Sequence, residues 1–210
     1  MTEPYAILAI MLAMLIGAVS PGPSFLLVAR ISLSQSPAHG LASALGMGVG
    51  GMILAILAVI GLEALFLQVD WLYMGFKIGG GAYLVYLGYM LWRGAKAPLS
   101  AHVEAGHARH GVWRTFILAL ATQLSNPKTV IFYSSVFAAL LPAHPSTLAM
   151  VALPFLLFLI EGGWYSAVAL AFSTARPRAA YLRMKSWIDR IAGAAMAGLG
   201  LRLIFGSAKI

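Results

Sequence analysis

The sequence predicts an all-α integral membrane protein of six transmembrane helices arranged as two inverted three-helix repeats. Three observations predict it: a composition that only lipid can solvate, six apolar runs of spanning length, and a proline break that recurs in the second half. Hydrophobic residues make up 61% of the 210 and charged residues 10%, against roughly 45–50% and 25% in soluble chains. Mean hydropathy is +0.89. So few charges cannot clothe a surface facing water, which excludes soluble enzymes and disordered tails. A hydrocarbon core about 30 Å thick takes about 20 residues per helix. The chain therefore forms a single transmembrane domain over 1–210, with repeat 1 at about 1–100 and repeat 2 at about 101–210.

The first span covers residues 5–28, since no charge falls between Glu3 and Arg30. Ala18-Val19-Ser20 faintly resembles a signal-peptidase site, but no basic stretch precedes the apolar run and cleavage is not expected. The second span is 41–62 and the third 71–92. A polar stretch at 93–114 follows, containing His102, His107 and His110 without ligand spacing, so these read as solvated and no metal site is expected. The fourth span is 115–141, the fifth 148–172 and the sixth about 188–205. All are apolar around the whole helix, as membrane spans are.

The charges then fix orientation. Arg30 falls in the first loop; Arg93, Lys96, Arg109 and Arg114 in the third; Arg176, Arg178, Arg183, Lys185 and Arg190 in the fifth. The second and fourth loops contain neither Lys nor Arg. The positive-inside rule places the odd loops in the cytoplasm and both termini outside. Trp71 and Tyr73 then mark the outer interface, and Trp92, Trp113 and Trp187 the inner one. The net charge of +8 is a topology signal read by lipid head groups, not a nucleic-acid footprint. With no cysteine, thiolate metal sites and haem attachment are excluded, and no cofactor is expected.

The halves resemble each other. Ser20-Pro21-Gly22-Pro23-Ser24 aligns with Ser125-Asn126-Pro127-Lys128-Thr129 at an offset of 105, and Lys77-Ile78-Gly79-Gly80 with Arg190-Ile191-Ala192-Gly193 at 113. The second offset also sets Gly50 on Gly163. Three spans per repeat is an odd number, so the second repeat must enter the membrane upside down. Secondary transporters are built this way, with the site at midplane where interrupted helices meet.

Proline lacks an N–H and clashes with the carbonyl four residues back. Pro21, Pro23 and Pro127 should free the carbonyls of Gly17, Val19 and Gln123. Beyond each break a new half-helix presents N–H groups and partial positive charge. Such groups are tolerated in lipid only where they face protein or a cavity. One break would be no more than a kink; two at equivalent positions favour a site whose paired polarity suits a zwitterion. Lys128 and Glu161 fall at mid-depth on consecutive spans, where a charge costs about 2.5–3.5 kcal/mol or more. They form either a structural pair or partners for which substrate or a proton competes, Glu161 then taking a coupling proton or the substrate ammonium. Trp164 and Tyr165, beside Glu161, either line a cavity or simply pack. Gly46 and Gly50, like Gly75 and Gly79, are spaced for close helix packing, and a homo-oligomer is compatible with the pattern.

Ser20-Pro21-Gly22-Pro23 and Asn126-Pro127-Lys128 are similar to the two hallmark breaks of the lysine exporter/homoserine–threonine resistance (LysE/RhtB) family. Gly40 to Gly50, Gly81-Ala82-Tyr83-Leu84 to Gly88, and Glu161 with Trp164 and Tyr165 also resemble it, over nearly the whole chain. Where many members carry Pro-Gln-Phe, Ala138-Ala139-Leu140 stands here. The resemblance implies a bacterial inner-membrane exporter of amino acids or their derivatives, driven by the proton motive force, with its two breaks at Ser20 to Pro23 and Asn126 to Lys128. Ser24, Gln123 and Ser125 join them as candidate site residues from the repeat and the freed carbonyl. Two alternatives compete: a carrier of another solute or a cation, and an intramembrane enzyme. One in-span carboxylate makes a poor metal site, and no nucleophile–base or His-Glu-x-x-His constellation is present for an enzyme.

Overall fold

The computed structural model describes residues 3–66, 70–97, 111–142 and 145–206; His102, His107, His110, Arg109 and Lys209 lie outside them. Among the described residues every regular element is a helix: α1 (Glu3–Val19), α2 (Pro23–Ser34), α3 (Pro37–Phe66), α4 (Asp70–Gly94), α5 (Val112–Ser125), α6 (Pro127–Leu140), α7 (Thr147–Phe172) and α8 (Ala175–Gly206). Among the described residues two stretches are long and apolar enough to cross a membrane, Pro37–Gly61 and Thr147–Phe172, with mean hydropathy 2.2 and 1.7. The pair α1–α2 is a third if its 55° bend lies within one span.

The bend follows from the sequence. Pro21 and Pro23 cannot donate to the helix preceding them, so α1 ends at Val19, its last backbone bond running from Ser20 N–H to the Ile16 carbonyl. Gly22 is the extended N-cap of α2, with Pro23 in its first turn, where the missing N–H is harmless. Asn126 separates α5 from α6 in the same manner, and its side chain accepts from Lys128 N–H as a cap. Glu3 reaches across to accept from the backbone N–H of Ser146, the N-cap of α7. The starts of α1 and α7 therefore lie at one end of the bundle.

The surface is inverted relative to a water-soluble protein. Leu8, Leu12, Leu57, Ile60, Val151, Phe155 and Leu159 are exposed, while Ser20, Ser24, Gln123, Asn126 and Glu161 are buried. Solvation by hydrocarbon outside and polar satisfaction inside produce that pattern. Inside, α3 packs on α7 and α5, and α4 packs on α8 and α6.

Glycine sets these distances. A Cβ on Gly48 would sit 3.0 Å from the Gly162 Cα, and one on Gly88 would lie 2.5 Å from the Gly193 carbonyl oxygen. Gly46 and Gly50 fit under α5, against the Phe116 carbonyl and the Gln123 side chain. Gly75 and Gly79 do not behave as their spacing suggests: nothing stands within 4 Å of a Cβ at either. They border an open groove between α4 and α6. Spacing alone shows which residues share a helix face, not whether a neighbouring helix covers it.

Two further expectations are corrected. Arg30 lies within α2, and Arg183, Lys185 and Arg190 within α8, because both helices continue through residues whose charge suggested loops. Lys and Arg are good helix formers, so basic character does not end a helix. As a consequence Glu161 is not the sole carboxylate inside a long helix: Asp189 is also buried, in α8.

Candidate functional site

The breaks at 20–22 and at Asn126 face each other, and their side chains are joined. Lys128 Nζ donates to Ser20 Oγ at 3.1 Å. Asn126 Nδ2 donates to Ser24 Oγ at 3.2 Å. Ser24 Oγ donates in turn to Gln123 Oε1 at 2.6 Å. Gln123 Nε2 donates to Glu161 Oε2 at 2.7 Å, and the Tyr133 hydroxyl to Glu161 Oε1 at 2.8 Å. One hydrogen-bonded chain therefore runs from the start of α6 through α2 and α5 to α7. Each buried polar group in it has a partner, the condition for such a network to be stable in a dry interior.

Lys128 and Glu161 do not meet directly. The lysine turns to Ser20, and the carboxylate is held by Tyr133 and Gln123. Glu161, with 3% of its surface exposed, is a buried carboxylate accepting two hydrogen bonds. That provision lowers the cost of ionisation without a cation alongside.

Around the chain lies a cavity of about 30 Å³, polar and large enough to hold ordered water. Ser20, Gly22, Ser24, Gln123, Asn126, Lys128, Glu161 and Tyr165 are in its wall, together with Gly17. Pro21 and Pro23 line a different, larger cavity. Ser125 points outward and donates to the Ala121 carbonyl. Pro127 shapes the break as the first residue of α6 without lining either space. Trp164 is directed away from the cavity and packs against the cluster of Phe25, Val28 and Met47. Its neighbour Tyr165 is buried against Ser24. Successive residues of a helix are rotated by roughly 100° about its axis, and of the two only Tyr165 reaches the cavity wall.

The sequence reading missed Tyr133. It lies in an apolar run where an aromatic ring suggests packing, and only the fold brings its hydroxyl to Glu161. Gly51 is a second omission. A Cβ there would collide with Glu161 Oε2 and stand 2.7 Å from the Tyr133 hydroxyl. Gly51→Ala is expected to displace both groups and lower transport about tenfold, the effect of losing one charge-assisted hydrogen bond. The protein should still elute as a folded species in size-exclusion chromatography; wild-type transport by G51A would contradict the geometry.

The model of the family described as LysE type translocator matches residues 15–207. The chain belongs to the LysE type translocator family. It is accordingly a membrane transporter of small molecules and not an enzyme. A threonine efflux protein of Salmonella typhi is 35% identical over 195 residues, covering 90% of this chain and 93% of the relative. A threonine efflux protein of Escherichia coli (strain K12) is 34% identical over 201 residues, covering 94% and 96%. An uncharacterized membrane protein of Haemophilus influenzae is 29% identical over 194 residues, covering 91% and 92%. No solved structure matches the chain. In this translocator the breaks at 20–22 and at Asn126 are the segments that the hydrogen-bonded chain ties together.

Proposed function

We propose that this translocator exports a small neutral amino acid of the threonine class across the inner membrane, coupled to the proton motive force. The observation that carries the reading is the chain joining both helix breaks to one buried carboxylate. The names of the Salmonella and Escherichia relatives supply the substrate class. Lys128 and the start of α2, which has no side-chain cap, receive the substrate carboxylate. Glu161 receives its ammonium or, alternately, a proton. The hydroxyls of Ser20, Ser24 and Thr129 around the cavity suit a hydroxylated side chain. A space of about 30 Å³ is too small for any amino acid, so transport requires the walls to part.

In this reading α1–α2 and α5–α6 are each one broken span, and α3, α4, α7 and α8 complete a three-plus-three inverted repeat. Helix crossings support it. Two inverted copies cross their equivalents at equivalent residues, so the crossings should recur at the repeat offset of 113. Gly48 meets Gly162, 114 positions on; the α4–α8 contacts Gly88–Gly193 and Gly81–Gly200, separated by 105 and 119, straddle 113. The Glu3–Ser146 bond agrees with an external N-terminus and an external fourth loop. A C-terminal reporter active only in the cytoplasm would contradict this orientation.

Counterflow in proteoliposomes, run across the amino acids with and without a pH gradient, tests the function. Exchange of threonine or a close analogue, accelerated by an imposed proton gradient, is expected. No exchange of any amino acid would overturn the substrate class, and exchange indifferent to the gradient would overturn the coupling.

A further inference from the structure

Beside the small cavity lies a second one, of about 360 Å³, within the usual range for small-molecule pockets. Leu26, Leu87, Met90 and Leu91 form its apolar wall, and three charges face it: Lys128, Lys185 and Asp189. It extends past Gly94 to Ala97, the α4 end that leads into the basic third loop. Among the described residues the two cavities share Gly22 and Lys128 alone.

Asp189 is 3% exposed. Its Oδ2 accepts from Lys185 Nζ at 2.7 Å, but its buried Oδ1 has no hydrogen-bond partner among the described residues. A buried carboxylate oxygen without a donor is costly, and a bound N–H group would relieve that cost. Lys128 lines the same cavity as Asp189, and among the described residues one of its three N–H groups is taken, by Ser20. Asp189 and Lys128, of opposite charge, thus line one pocket of amino-acid size, and a turn of the Asp189 carboxylate would bring Oδ1 to its surface.

We infer that this pocket is a vestibular subsite in which an amino-acid zwitterion binds with its ammonium on the Asp189 carboxylate, turned to present Oδ1, and its carboxylate on Lys128. The inference rests on the amino-acid export proposed above. Because Lys128 borders both cavities, the substrate can keep its carboxylate on that lysine while its ammonium passes from Asp189 to Glu161. One cation thereby serves two carboxylates in sequence. The apolar wall takes the side chain and contributes little discrimination among small residues, so the vestibule selects for the α-amino acid grouping itself.

The test uses reconstituted full-length protein exchanging radiolabelled L-threonine, with competition by the analogue carrying a hydroxyl in place of the α-amino group. In the wild type threonine should compete better than this analogue. Asp189→Asn should raise the KM for threonine about tenfold, the loss of one charge-assisted hydrogen bond, and reduce the preference over the analogue by a similar factor. Vmax should stay within about twofold, since the ion at the break is untouched. Asp189→Asn leaves Lys185 unpaired, so Lys185→Gln/Asp189→Asn, which removes both charges together, is the companion variant and should lose the same preference. Unchanged KM and preference in either folded variant would overturn the subsite alone. A wild type that exchanges no amino acid would overturn the export reading and this inference with it.

Discussion

Glu161→Gln is expected to slow threonine exchange about a hundredfold, the scale of losing a positioned proton-transfer group, and to erase the dependence of what remains on pH. The argument is in the polarity of the hydrogen-bonded chain. Both oxygens of Glu161 now accept, from Tyr133 and from Gln123. A proton added to either oxygen faces a group that is already donating. Either the Tyr133 hydroxyl turns away or the Gln123 amide flips. If the amide flips, its N–H groups face Ser24, which loses its acceptor and must redirect its own proton. Ser24 also accepts from Asn126, the cap of α6. Protonation at Glu161 is thus felt at both breaks through one amide. Glutamine at 161 presents a permanent N–H and holds the chain in one polarity, which mimics the protonated state and removes the cycle. The variant should remain folded, since shape and volume hardly change. Wild-type rate and pH profile in E161Q would exclude Glu161 as the coupling group.

How far the sequence alone leads depends on the kind of feature. The breaks were legible because proline acts locally and here falls beside a residue that caps the next helix. Pro21 and Pro23 flank Gly22, and Pro127 follows Asn126, whereas Pro154 alone is carried inside α7. Glu161 and Lys128 stood out because charge inside an apolar run is expensive. Their separation was not legible, since depth along a helix says nothing about the direction of a side chain. Tyr133 resembled packing, and Asp189, at the edge of the sixth span, was masked by the basic residues on either side of it. Lys185 and Asp189 are four residues apart, one helical turn, and that spacing is the signal that could have found them. Whether Gly75 and Gly79 lie under a neighbouring helix depends on the partner, which no spacing contains.

The second large effect concerns stability. Gly200→Leu is expected to destabilise the bundle by more than the roughly 1–3 kcal/mol typical of overpacking, because the obstacle is backbone. A Cβ at 200 would collide with the Gly81 carbonyl and stand 2.9 Å from the Val85 backbone nitrogen. Neither atom can rotate aside, so α4 and α8 would have to separate. That motion would also open the Gly88–Gly193 contact on the same seam, where the interaction in lipid is van der Waals packing without a hydrophobic contribution. Gly198→Leu changes the same helix by the same volume, two residues away, yet nothing stands within 4 Å of a Cβ there. It should leave the melting temperature within error or raise it, since leucine favours the helix over glycine by nearly 1 kcal/mol on the host–guest scale. Thermal melts in detergent would therefore separate the pair, with G200L lower by roughly 5–10 °C or more on the usual conversion for a chain of this size. Equal melts for the two variants would show that α4 and α8 are not in contact along this seam, and the pocket between α2, α4 and α8 that holds Asp189 would lose its wall.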